Sequence, residues 1–205
     1  MKRHRFVLLL PLVLAACGYN NIQQYDEQAN AAQGQIEVQL NRRAELIPSL
    51  VATVKGLANQ ELAVFGEVAR ARGGLLNAVQ SKDPEQMASA NATMNGALGR
   101  LLAVSEAYPQ LKSDQAFLKL QDELSGTANR IAVSQTDYNT AVQQYNSYIR
   151  TFPTVITAKM TGAKERKYFT APNENKAPPT VDFGTPGAPA QPVPTTTPTP
   201  PPAKP

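Results

Sequence analysis

Few residues of this chain can do covalent or acid-base chemistry near neutral pH. The one cysteine, Cys17, and the one histidine, His4, both fall in the first 17 of 205 residues. If that segment is processed, the remaining body has neither a free thiol nor an imidazole, which removes Ser-His-Asp and Cys-His catalysis and the usual zinc ligand sets. Carboxylate pairs, Ser with Lys, and hard-cation sites built from oxygens are what is left. Asp122 and Glu123 are the obvious carboxylate pair, yet neighbours on a helix point about 100° apart, so a solvated face is expected. Gly73-Gly74 lacks the Lys and Ser or Thr of a phosphate loop and reads as a turn, a helix end or a weak point within a helix. No catalytic residue, metal ligand or cofactor site is assigned.

Two groups of residues are candidates for contact with a ligand or partner. Arg42, Arg43, Arg70 and Arg72 are the densest basic positions; Glu45 and Glu67 stand three residues from Arg42 and Arg70 and offer ordinary helix-surface pairs. Arg43 differs because it falls on the apolar stripe of Ile36, Leu40 and Ile47. A charge there needs a partner or a ligand. Tyr138-Asn139 and Tyr145-Asn146 repeat at seven residues. They suit core tyrosines bonded at the edge of a bundle, or a groove that accepts a peptide or helix from a partner.

The N-terminus decides the fate of Cys17. Lys2, Arg3, His4 and Arg5 precede an apolar run from Phe6 to Leu14, and Ala15 and Ala16 stand before the cysteine, the layout of a secretion signal. The run to Ala16 falls short of the roughly 20 residues of a spanning helix, and Pro11 interrupts it. Leu14-Ala15-Ala16-Cys17 resembles the lipobox of bacterial lipoproteins, which implies cleavage between Ala16 and Cys17 and lipid on the Cys17 sulfur. An ordinary signal would instead leave an unpaired thiol. Each buried methylene contributes about 0.8 kcal/mol, so one chain is marginal and two or more hold firmly. The resemblance implies up to three. Gly18 stands where an Asp would retain a lipoprotein in the inner membrane of many diderm bacteria, so the outer membrane is favoured if the host is one. The formal charge of +4 is misleading for the same reason. Without Lys2, Arg3 and Arg5, 17 basic residues face 16 acidic ones, which offers no electrostatic footprint for nucleic acid.

The elements that position these residues are helical. The composition, 42% hydrophobic with 6% aromatic and no Trp, suits one α-helical domain with extensions. Phe117, Leu124, Ile131, Tyr138, Tyr145 and Phe152 recur every seven residues, with Ala128, Val142, Ile149 and Ile156 on the neighbouring position. This predicts a helix from Ser113 or Asp114 to about Ala158, roughly 70 Å long, with Pro153 near its end as a kink. Asp83-Pro84-Glu85-Gln86 supplies an N-cap, a first-turn proline and a capping-box Gln, predicting a helix from Pro84 to about Tyr108. A short turn over Pro109 to Lys112 joins the two. From Tyr19 to Val79, Ile22, Tyr25, Ala29, Ile36, Leu40 and Ile47 keep helical phase, and so do Leu50, Val54, Leu57, Val64, Val68 and Leu75. Either one helix kinked at Pro48 or two helices separated there satisfies the pattern. The expected fold is all-α, an elongated antiparallel bundle of three to four long helices. Twelve of the 17 prolines lie from Pro172 to Pro205, so a Pro/Thr-rich disordered tail is expected there. Val181, Asp182 and Phe183 are its one apolar island.

The domain reading is a signal peptide over 1–16, a helical bundle over 17–171 and the tail over 172–205. The segment QIEVQLNRRAELIPSLVATVKGLANQE, Gln35 to Glu61, resembles the signature of the LemA family of bacterial envelope proteins. So do AYPQLKSDQAFLKLQDEL (Ala107 to Leu124), NRI (Asn129 to Ile131), YNTAVQQYNSYIRTFP (Tyr138 to Pro153) and Tyr168-Phe169, in the family's order. The resemblance spans about residues 19 to 171 and implies a membrane-attached helical bundle facing away from the cytoplasm, with no catalytic or ligand residues to carry over. The chain departs from the family in three places. The lipobox replaces a membrane-spanning N-terminus, Thr161-Gly162-Ala163 replaces a common Phe-Gly-Phe run, and Ala128 replaces a frequent Glu. The expected function is a non-enzymatic scaffold or adaptor, held to membrane lipid through Cys17 and acting on an envelope protein partner. The alternatives are a ligand- or ion-binding module and an enzyme working without histidine.

Overall fold

Pro48 does not end the first helix. The computed structural model describes the backbone of residues 3–58 and 60–171, and the side chains from Gly18 onward except Leu57 and Asn59. In it α1 runs unbroken over Arg3–Leu57. A proline removes the N–H that would serve the carbonyl four residues back. That carbonyl, on Ala44, instead accepts a 2.8 Å hydrogen bond from Arg72 Nε. The chain reverses after Leu57, through Ala58 to Glu61, where neither glycine nor proline marks the turn. Four long helices result, although Pro48 is not what separates the first two.

The second helix, α2, spans Leu62–Ser81 and buries Phe65, Val68, Ala71, Leu75 and Ala78. Gly73 and Gly74 sit exposed inside it and do not terminate it. Lys82 ends it in the left-handed region, φ 55°. As expected, α3 (Pro84–Ala107) opens on Asp83, whose side chain accepts from Glu85 N at 2.9 Å and Gln86 N at 3.2 Å. Gln86 does not close a capping box, because Ser81 Oγ accepts the Asp83 N–H at 3.3 Å. The stretch predicted as a turn is a one-turn helix, α4 (Pro109–Ser113), which buries Leu111.

The long helix predicted to reach Ala158 is two elements. α5 covers Gln115–Arg150, capped by Asp114 accepting from Phe117 N at 2.9 Å, and α6 covers Thr154–Thr161. Pro153 breaks the helix rather than kinking it; it offers no N–H, and Thr151 already turns into extended backbone. The seam of Phe117, Leu124, Ile131, Tyr138 and Tyr145 is buried, but beyond the break Phe152 is 77% exposed and Ile156 54% exposed.

α1 and α5 form a long antiparallel pair, shown by the tilted Tyr25 and Tyr148 rings 5.0 Å apart at one end. The α2–α3 hairpin covers the upper part of this pair, and Gln33 Nε2 donates to Lys82 O at its turn. Ile36, Leu40, Ile47, Leu50, Met87, Met94 and Leu101 pack there with the α5 seam. Below the hairpin a second cluster of Ile22, Tyr145, Ile149 and Ala158 joins α1, α5 and α6. After α6 the backbone runs as a non-helical strap over 163–171. Among the described residues there is no strand, and no helix is long and apolar enough to cross a membrane. The side chains of Ala16 and Cys17, and the whole segment from residue 172 with its Val181 to Phe183 island, lie outside the described residues.

Candidate functional site

The tyrosine and asparagine repeat of α5 holds the chain's own strap. Asn146 Oδ1 accepts from Arg166 N at 2.8 Å while its Nδ2 donates to Arg166 O at 2.9 Å. Asn139 repeats the pattern on Phe169, accepting at 2.8 Å and donating at 3.3 Å. A primary amide carries one acceptor and donors side by side, so it pairs with a backbone residue as a neighbouring strand would. The spacings match as well. Seven helical residues rise about 10.5 Å, and three extended residues span about 10 Å, so residues 139 and 146 meet 169 and 166. Tyr138 Oη donates to Lys167 O at 2.8 Å between them, and Gln135 Nε2 reaches Phe169 O at 3.3 Å. The groove that the sequence offered to a partner peptide is thus filled from within.

Charge locks the strap at two points. Arg166 Nε bonds Asp26 Oδ1 at 2.8 Å and its Nη2 bonds Asn30 Oδ1 at 2.6 Å, with the guanidinium 5.7 Å from the centre of the Tyr145 ring. Burial acts to lower the Arg166 pKa, but the Asp26 hydrogen bond and charge, with the two tyrosines, carry it above its ordinary value. Burial raises the pKa of both Tyr138 and Tyr145, so their hydroxyls stay protonated. Lys167 Nζ stands 3.0 Å from both Asp83 Oδ2 and Glu85 Oε2 at the α2–α3 turn. The Lys167 hydrogen bond is the main cause holding the Asp83 carboxyl below the usual range.

Arg43 is the exception among these polar groups. It occupies the heptad seam of Ile22, Ala29, Ile36 and Leu50 and is 5% exposed. Nη1 donates to Asn91 Oδ1 at 2.6 Å, and Nε is buried without a partner. Burial lowers its pKa with no acidic group opposing the shift. Beside it lies a cavity of about 160 Å3 between α3 and α5. Its walls are small, with Ala88 and Ala92 on α3 and Ala128 and Ala132 on α5; Asn91, Asn95 and Gln135 line it too, as does Phe169 of the strap.

Of the other basic positions Arg72 is engaged within the fold, while Arg42 and Arg70 are exposed. Arg72 serves Ala44, and Glu67 pairs across helices with Arg100 rather than with Arg70. No ion pair joins Arg42 to Glu45 among the described residues. Asp122 is exposed and Glu123 half-buried, and the described residues contain no group of three or more metal-ligating side chains. Sequence reasoning missed Gln135, Asn91, Arg166 and Lys167. The usable signal was the seven-residue repeat of Asn139 and Asn146, which has the pitch to read a backbone.

The LemA family model matches residues 32–183. The chain belongs to the LemA family. The match extends past Ala171 to take in Val181, Asp182 and Phe183. Magnetosome protein MamQ 2 of Paramagnetospirillum magneticum is 28% identical over 174 residues, and MamQ of Magnetospirillum gryphiswaldense 26% over the same length. Both matches cover 74% of this chain and 64% of the relative. Protein LemA of Metamycoplasma hominis is 25% identical over 141 residues, covering 68% of this chain and 63% of its own. This LemA-family chain therefore spans less than two thirds of the curated relatives it matches.

Proposed function

We propose that the protein is a lipid-anchored, non-enzymatic scaffold or adaptor of the bacterial envelope, a stiff helical post held to the membrane by Cys17. The observation that carries this reading is the distribution of exposed apolar side chains. Of nine large exposed hydrophobics among the described residues, Tyr19, Phe152, Ile156 and Met160 lie at the end where α1 follows Cys17. Thr157 of α6 lies within van der Waals reach of a Cβ placed on Gly18, so α6 stands beside the anchor. Thr154 and Ala158 face the bundle, leaving Ile156 and Met160 on the outer face with Lys159 beside them, exposed. An apolar face edged by lysine suits the boundary between acyl chains and headgroups. The polar side chains of α5 support a structural role, since Tyr138, Asn139 and Asn146 are spent on the strap.

Two measurements test the reading. Metabolic labelling with a fatty acid should mark the wild-type chain, whereas Cys17→Ser should remain an unlabelled precursor; label persisting in that variant defeats lipid anchoring. Since Cys17 is the one native cysteine, a lipidated chain should take a thiol-reactive spin label only after Met160→Cys or Thr140→Cys. In vesicles, the label at position 160 should relax with oxygen in preference to a water-soluble nickel chelate, and the label at exposed Thr140 should do the reverse. Equal access of the chelate to both positions defeats the proposed orientation.

A further inference from the structure

Arg166 and Lys167 of the strap each meet a carboxylate, whereas Arg43 presents a buried cation to an empty space. We propose that Arg43 and Asn91 form a binding site for a small monocarboxylate in the slot between α3 and α5. Three observations support it independently of the membrane reading. First, Arg43 is only 5% exposed, its buried Nε has no partner, and no carboxylate among the described residues pairs with it. A buried charge is tolerated when an opposite charge and hydrogen bonds meet it. Second, the Asn91 amide is oriented by Arg43 itself. Its Oδ1 takes the Nη1 hydrogen bond, so its NH2 group is left as a donor. The site therefore offers donors to a ligand that brings acceptors alone, as a carboxylate does.

Third, the space is the right size. The four alanines of the facing helices leave about 160 Å3, comparable with the roughly 150 Å3 engineered cavity that admits one benzene. One small organic acid fits this volume, with its carboxylate toward Arg43 and its carbon chain between the alanines. A single guanidinium balances one negative charge. A dianion such as phosphate would bring a second charge with no cation to meet it and no carbon chain to lie against the alanines, which argues for the monocarboxylate.

The test uses the full chain with sodium propionate as the probe, against sodium chloride and sodium phosphate at equal ionic strength. A ligand that binds the folded state raises the melting temperature with the logarithm of its concentration. Propionate should raise the wild-type melting temperature beyond either control, and isothermal titration should show saturable heat. Arg43→Met should abolish both responses while retaining the bundle's helical circular dichroism. Ala128→Glu supplies a second arm that does not require the arginine to be removed. Its carboxylate enters the same slot, so the variant should melt higher than wild type without propionate and should lose the propionate response. A rise matched by chloride, a larger rise with phosphate, or a propionate response that survives Arg43→Met or Ala128→Glu would overturn the assignment.

Discussion

At the scale of single residues, the side chain that matters most to the strap is Asn146. It is 3% exposed and uses both faces of its amide on the Arg166 backbone. Backbone groups buried without partners are costly, so truncation removes two hydrogen bonds and leaves two peptide groups unmet. Asn146→Ala is expected to lower unfolding free energy by about 2–3 kcal/mol, measured by urea denaturation. Asn146→Asp should also destabilise the fold, because it keeps the acceptor for Arg166 N but sets a carboxylate against Arg166 O. A loss confined to a few tenths of a kcal/mol in Asn146→Ala would show that water replaces the pairing.

At the scale of elements, the continuity of α1 rests on a residue from another helix. Pro48 leaves the Ala44 carbonyl without its intrahelical donor, and Arg72 of α2 supplies one at 2.8 Å. This ties the docking of α2 to the middle of α1. Removing a charged donor from a partly buried acceptor typically costs about 1.5–3 kcal/mol, so Arg72→Ala should be destabilising in the natural background. With Pro48→Ala in place, the backbone N–H returns and the same Arg72→Ala change should cost much less. The two substitutions should therefore couple by about 1 kcal/mol in a double-mutant cycle. Additive effects would mean that the carbonyl is served by solvent in the absence of Arg72.

At the scale of the molecule, the strap joins elements distant in sequence, and one junction responds to pH. Lys167, with the cap hydrogen bonds from Gln86 and Glu85, depresses the Asp83 pKa below its ordinary value. A carboxylate depressed in the folded state contributes stability above its unfolded pKa, and that stability is lost as pH falls through the folded pKa. The junction should therefore hold at neutral pH and weaken as pH drops below about 4. The carboxylates of Glu85 and Asp83 raise the Lys167 pKa, so its contribution persists below the ordinary lysine value and is lost as pH rises through the raised one. Asp83→Asn keeps the helix cap and removes the charge, so its melting temperature should vary less than wild type between pH 2 and 6. An unchanged acid limb would place the pH sensitivity elsewhere.

What could be read from the sequence were features set by local periodicity and local caps. The buried seam from Phe117 to Tyr145 and the Asp83-Pro84 helix start are of this kind, since every residue involved lies within a turn or a heptad of the next. The anomaly of Arg43 was legible too, as a charge on an apolar stripe. Its surroundings were not, because Asn91, Ala128 and Phe169 come from three other segments of the chain. The break at Pro153 is masked in the sequence because the seven-residue pattern continues through Phe152 to Ile156, although these side chains are exposed. The occupant of the Tyr138, Asn139 and Asn146 groove was likewise decided by packing, with Arg166 bonding Asp26 across 140 residues of chain. Periodicity specifies which face of a helix turns inward, and so the sequence determined an α-helical bundle. Which segment meets that face depends on where the chain reverses and on contacts between distant residues, and this was settled only by the tertiary structure.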